Sequence, residues 1–329
     1  MTNRERFQKT FSFQPVDRLP VIEWAGWWNL TIDNWHKQGL SEELVDANDI
    51  RDFFGQDSHR QMWIGPRGPS CPGSSSENPL VRDRQDYLNL KPYLYPSPAV
   101  NREHLKMCAK EQASGHSVVW LTLEGPFWYP RTLFGIEPHM TAFYDQADLM
   151  KEMNEDLQEW SIKCYEEFCS ICVPDFMTFA EDMSYNHGPM IGKNLFEEFI
   201  TPFYCRIVPV MRDKGTVVIV DTDGDVTHPI SWYMEAGVQG FLPLERMAGV
   251  DVSAIRKEHP DVILLGAFDK TVMHLGEERM RMEFERLLPV MKQGGFIPSC
   301  DHQTPPAVSL DDYWLYMRLL REYCELAAK

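Results

Sequence analysis

Residues 217–225 read VVIVDTDGD. A β-branched apolar run stops abruptly in three carboxylates and a glycine. Such a run suits a buried strand, and acids delivered at the tip of a buried strand are a common way to build a polar site. Two later stretches finish alike, 240–246 (GFLPLER) and 295–302 (GFIPSCDH). The question posed by the chain is whether Asp221, Asp223, Glu245 and Cys300 meet in space.

Outward from this stretch, strand-like and helix-like segments alternate. Eight candidate strands begin near residues 20, 60, 116, 175, 216, 240, 262 and 295. Helical patterns fall between them, at 41–54, 100–115, 144–168, 194–214, 230–236, 253–259, 277–293 and 310–326. Alternation favours a parallel sheet with helical crossovers. Eight units in 329 residues fit an α/β (β/α)8 TIM barrel. A doubly wound open sheet is the alternative, but no glycine-rich phosphate loop follows the first strand. An N-terminal extension at 2–13 reads as an amphipathic helix with a Thr2–Glu5 capping box. Residues 65–98, rich in Pro, Gly and Ser, read as a long inserted loop. Nothing marks a composition break, so residues 1–329 are read as a single domain.

Bulk composition excludes whole classes of function. Hydrophobic residues make up 43% of the chain, enough for a sizeable core, and the formal net charge is −17. That charge argues against nucleic acid and anionic membrane surfaces as partners. No apolar run reaches the roughly 18 residues of a membrane span. The first residues, MTNRERFQKTF, are charged where a signal peptide would be apolar. A cytoplasmic protein is expected, with its eight cysteines as free thiols. The Cys169–Cys172 pair has CxxC spacing but no second pair to complete a zinc site.

Strand after strand ends in an acid: Glu23, Glu124, Glu181 with Asp182, Asp221 with Asp223, Glu245, Asp269, and Cys300 with Asp301 and His302. Barrel active sites lie at those strand ends. Asp225, Asp251 and Asp269 suit helix capping. Asp223, Glu245 and Cys300 offer O, O and S from three strand ends, the ligand count of a catalytic zinc. Asp221 is a fourth ligand or a supporting group, and counts with Glu181 and His302 among the candidate catalytic residues. Asp182, Tyr185 and His187 are candidates for binding substrate polar groups. Trp24, Trp27 and Trp28, with Trp35, lie close enough in sequence to line a pocket for a flat or apolar ligand, or else to cap a barrel end.

These residues carry a resemblance. The stretches 3–20 (NRERFQKTFSFQPVDRLP), 181–189 (EDMSYNHGP), 220–225 (VDTDGD), 235–245 (EAGVQGFLPLE), 265–270 (LGAFDK) and 297–306 (IPSCDHQTPP) resemble the uroporphyrinogen decarboxylase superfamily, in its methyltransferase-like branch. The resemblance covers nearly the whole chain and implies a (β/α)8 barrel. Two departures matter. The arginine-rich motif that grips propionates in the decarboxylases is replaced by Glu23-Trp-Ala-Gly-Trp-Trp28, which argues against a tetrapyrrole substrate. The His-x-Cys zinc motif of the thiol methyltransferases falls on Asp221-Thr-Asp223, while its later Glu and Cys fall on Glu245 and Cys300. Carboxylates in place of softer ligands make a bound zinc a harder Lewis acid, suited to an ether oxygen.

The resemblance therefore implies an O-demethylating methyltransferase. Methyl would pass from a methoxylated aromatic to the Co(I) corrinoid (cobalamin) of a separate corrinoid protein. The chain has only one near match to a cobalamin-binding motif, at 57–62, and it lacks the final glycine. Three alternatives stay open: transfer from a methyl-corrinoid protein to a thiol, metal-independent decarboxylation, and binding without turnover. A homodimer is an open possibility for its assembly.

Overall fold

The computed structural model describes residues 1–73 and 79–328. Among them are nine strands: β1 (His59–Trp63), β2 (Val118–Glu124), β3 (Phe176–Ala180), β4 (Ser184–Tyr185), β5 (Gly188–Pro189), β6 (Val217–Asp221), β7 (Gly240–Leu242), β8 (Ile263–Phe268) and β9 (Phe296–Cys300). Seven of these form one parallel sheet in the order β1-β2-β3-β6-β7-β8-β9. β4 and β5 make a separate two-residue ribbon. Helices run between successive sheet strands, as parallel pairing requires.

Alternation along each strand sorts side chains into two cores. One cluster holds Val118, Trp120, Phe176, Ile219, Leu242, Ile263, Leu265 and Ile297, together with Ile22 and Trp24. The N-terminal helix Asn3–Phe11 joins it through Phe7 and Phe11. Its Thr2–Glu5 capping box is formed as expected. The other cluster takes the alternate residues, such as Val119, Leu121, Met177, Phe179, Val218, Val220, Phe296 and Cys300, and packs them under the helices. In β6, Val217, Ile219 and Asp221 therefore face inward, and Val218 and Val220 face the helices.

The expected first strand, 19–23, is the main departure. It lies extended beside both edge strands but makes no strand ladder. Pro20 has no N–H to give, Leu19 N goes to Cys324 O (3.1 Å), Asp57 N donates to Val21 O (2.8 Å), and three further amides go to side chains. Val21 N donates to Asp57 Oδ2 (2.9 Å), Glu23 N to Gln56 Oε1 (3.0 Å) and Trp24 N to Ser299 Oγ (3.2 Å). A curled seven-stranded parallel sheet, its edges bridged by residues 19–24, is what these bonds describe.

The expected helix at 41–54 is formed only over Ala47–Phe53, capped by Asp46. The expected 65–98 loop carries the helix Arg84–Leu90, while its residues 74–78 lie outside the described ones. Helices Asn29–Lys37, Trp128–Phe134 and Ile136–Asp145 were not expected. Among the described residues no helix is long and apolar enough to cross a membrane.

Candidate active site

A pocket of about 360 Å³ opens at the C-terminal ends of the sheet strands. Trp24, Trp63 and Trp128 form its aromatic lining, and Asp182, Asp221, Asp223 and His302 its charged one. A larger hollow of about 600 Å³ lies between residues 95–99 and the helix Ala147–Cys169. It contains no strand residue, and its Asp156 is already paired with Lys91 at 2.6 Å. The smaller pocket is therefore the chemical one, in the position where barrel enzymes place their sites.

Three strand ends converge on one point. One ligand atom from each of Asp223, Glu245 and His302 lies within 4.8 Å of the other two. Glu245 is held by two donors: Gly224 N to Oε2 (2.9 Å) and Lys270 Nζ to Oε1 (3.2 Å). His302 Nε2 is 3.6 Å from Asp223 Oδ2, and that carboxylate raises the imidazole pKa. The neighbouring Asp301 is fully buried and accepts from Arg246 N (2.9 Å) and Lys270 N (3.1 Å). Burial pushes its carboxyl up to about 6. Asp301 thus ties the β9 loop to the loops after β7 and β8, and so fixes where His302 and Glu245 stand.

Gly224 is required by a close approach. Its φ is +79°, and a Cβ there would meet the Tyr185 backbone at 2.6 Å. The β4–β5 ribbon sits on this turn, with Asp225 N donating to Tyr185 O at 2.9 Å. Asp182, just before the ribbon, has a positive φ of 41°, a conformation that Asp tolerates better than most residues. Its Oδ2 is 3.5 Å from Arg131, whose guanidinium lies 4.4 Å over the Trp128 ring. Burial and then the Asp223 charge push Asp182 up to about 6, against Arg131. Asp221 is pushed well above the ordinary carboxylate range, by burial first and then by Asp182 and Asp223. A counter-charge is what Asp221 lacks.

Several expected site residues stand elsewhere, and strand parity explains two of them. Cys300 falls on the helix-facing side of β9. Its buried Sγ lies against Met273 Sδ at 3.8 Å and is not a member of the Asp223–Glu245–His302 cluster. Burial, then Glu23 and Asp301, raises its thiol pKa far above normal. Glu181, the residue after inward Ala180, also turns outward. Its Oε1 accepts from Tyr204 OH (2.5 Å), and its Oε2 from Phe127 N (2.9 Å) and Trp128 N (3.2 Å). Burial pushes it up to about 7. It caps the helix Trp128–Phe134 and does not line the pocket.

Among the tryptophans, Trp24 is in the pocket, with Nε1 donating to Cys300 O at 2.8 Å. Trp27 and Trp35 are buried together against Tyr313, and Trp28 is exposed at the start of a helix. Tyr185 and His187 are exposed on the ribbon, ring centroids 5.8 Å apart, outside the pocket lining. Asp225, Asp251 and Asp269 each accept an amide two residues on, as capping predicts. Trp63, Trp128, Arg131 and Lys270 were missed; Lys270 is signalled by its place just after the acid that ends β8.

The chain belongs to the uroporphyrinogen decarboxylase (URO-D) family, whose model matches residues 74–323. Its fold is similar to that of a methyltransferase from Methanosarcina mazei, with a TM-score of 0.62 and 16% identity over 98% of each chain. A β-mannanase from the blue mussel Mytilus edulis gives a TM-score of 0.46 at 11% identity, over 91% of this chain and 90% of that one, and adds nothing to the assignment. No curated protein matches the sequence.

Proposed function

We propose that this protein is a cytoplasmic methyltransferase, built as a single (β/α)8 domain over residues 1–329, in which residues 19–24 take the place of the first strand. It moves a methyl group from a small methoxylated aromatic to the Co(I) corrinoid of a separate protein. The observation that carries the reading is the Asp223–Glu245–His302 cluster beside a tryptophan-lined pocket. Membership of the URO-D family and a fold shared with a methyltransferase support it.

Two carboxylates and one imidazole are a donor set that suits zinc and leaves a coordination position open. Held by Asp223, Glu245 and His302, zinc would supply a Lewis acid for the ether oxygen, and the partner's corrinoid would supply the methyl acceptor. The chain's own residues do the rest. Trp24, Trp63 and Trp128 wall the pocket that receives the donor. Lys270 and Gly224 N aim the Glu245 carboxylate, and the Asp301 bridge holds the loops in register. When the C–O bond breaks, its electron pair stays on oxygen as a phenolate, whose charge must be met at once. Lys270, 3.2 Å from Glu245, contributes positive charge on that side.

Trp28, Leu30, Trp63, Tyr185, Met247 and Leu275 are exposed large side chains on segments that leave strand C-terminal ends. They suit a partner that docks over the mouth. Three aspartates in a small pocket argue against a tetrapyrrole polycarboxylate. The test is methylation of cob(I)alamin, followed by absorbance, with a panel of methoxyarenes, alongside metal analysis of the protein purified without added metal. Methylation together with stoichiometric zinc that is lost in Asp223→Ala supports the reading. No methylation with any donor overturns it.

A further inference from the structure

Three acids at the site have a basic partner and one does not. Asp182 has Arg131 at 3.5 Å, Glu245 has Lys270 at 3.2 Å, and Asp223 has His302 at 3.6 Å. Asp221 has no such partner: among the described residues, no donor lies within hydrogen-bond distance of its carboxylate. Asp221 is not a member of the Asp223–Glu245–His302 cluster, so a divalent ion held there would not use its carboxylate as a ligand. Asp221 ends β6 on the inward side, at the floor of a pocket walled by tryptophans.

The molecule already contains the arrangement that answers such a carboxylate. Arg131 lies 4.4 Å over the Trp128 ring and 3.5 Å from Asp182. A cation is thus held between an indole face and an aspartate at the edge of the same pocket. Trp24 and Trp63 with Asp221 repeat the ingredients without the cation. Aromatic walls plus a carboxylate are the chemistry that recognises an ammonium group.

We propose that the pocket takes a methyl donor carrying a positively charged nitrogen, with its ammonium group seated on Asp221 and flanked by Trp24 and Trp63. This rests on the methyl-transfer reading and narrows its substrate class from methoxylated aromatics to cationic ones. The donor's ether oxygen faces the Asp223–Glu245–His302 cluster and its ammonium faces Asp221. Neutral and anionic donors of the same shape leave Asp221 without a partner.

The experiment is isothermal titration calorimetry on the zinc-supplemented full chain, without corrinoid. The probes share one framework: para-methoxyphenethylamine, para-methoxyphenethyl alcohol and para-methoxyphenylpropionate. The amine is expected to bind about tenfold tighter than the alcohol, and the anion more weakly than either. Asp221→Asn brings the amine to within about twofold of the alcohol while alcohol binding is retained. Trp63→Leu, on the exposed rim, weakens the amine about threefold and leaves the alcohol less affected, which keeps the test decisive if the Asp221 variant does not fold. Equal binding of amine and alcohol by the unaltered protein, or an undiminished amine preference in both variants, overturns the proposal. Methyl transfer to cob(I)alamin from the alcohol as readily as from the amine, without an amine preference in binding, overturns the cation subsite and leaves the methyltransferase reading standing. An amine preference with no methyl transfer from any probe supports the subsite and overturns the methyltransferase reading.

Discussion

Two kinds of acid stand at the C-terminal ends of the sheet strands and of the 19–24 seam. Glu23 and Glu181 turn toward the helices, while Asp221 turns toward the pocket. Glu23 Oε1 accepts from Ser299 Oγ (3.2 Å), Cys300 N (3.2 Å) and Tyr316 OH (2.6 Å). Glu181 likewise accepts three donors. Both are pushed up to about 7, burial being the first cause in each. The donors that reach them all come from the fold, so these acids organise it. Asp221 is deep in the site and has no donor. A strand-end acid is therefore functional or structural by the count of donors around it, and a shift of one residue along the strand decides which face meets those donors.

The largest expected effect is at the cluster that no strand parity governs. Asp223→Asn should lower the rate of cob(I)alamin methylation about 10³-fold and release the bound zinc while leaving the melting temperature close to that of the parent. Loss of fold stability in step with activity would erase the contrast drawn above. Glu181→Ala should do the reverse. It strands Tyr204 OH and two amides, and should cost about 3 kcal/mol in denaturant unfolding with zinc content unchanged.

Glu23 sharpens the comparison through pH. Its folded pKa of about 7 lies above the ordinary value of 4.5. The folded state thus holds the proton more tightly, and stability is fully present below pH 4.5 and is lost as pH rises through about 7. Glu23→Gln keeps the Oε1 acceptor and removes the charge. Its stability curve should be flatter over this window, with a gain of at most about 3 kcal/mol at pH 8; parallel curves would mean that Glu23 does not titrate there. Smallest is Cys300→Ala, expected to cost about 1 kcal/mol for a lost packed sulfur and to retain full zinc. Zinc loss in that variant would restore the thiolate to the metal set.

Much of the scaffold could be read in advance because period and punctuation are local. The 217–221 run, the Thr2 cap and the later strand–helix units follow from them. Helix Trp128–Phe134 could not be read that way. It has no capping side chain of its own, carries Pro130 in its first turn, and receives its cap from Glu181, far along the chain. Helix Asn29–Lys37 follows Trp28, which makes no capping bond either, and its aromatic neighbourhood invites a pocket reading. At the site, the convergence of Asp223 and Glu245 was legible from strand ends. His302 in place of Cys300 was countable too, since Ile297 and Ser299 face inward and residue 300 must therefore face out. Lys270 had a signal in its place after Asp269, but Arg131 was not legible, because its pairing with the distant Asp182 has no sequence period.

The seam formed by residues 19–24 has a consequence for how such a chain can change. Every other junction in the sheet is secured by main-chain groups that no single codon can remove. At this one a main-chain bond from Asp57 N to Val21 O (2.8 Å) is joined by side-chain acceptors from Asp57, Gln56 and Ser299. Part of its strength can therefore be changed one residue at a time, and it carries Trp24 into the pocket.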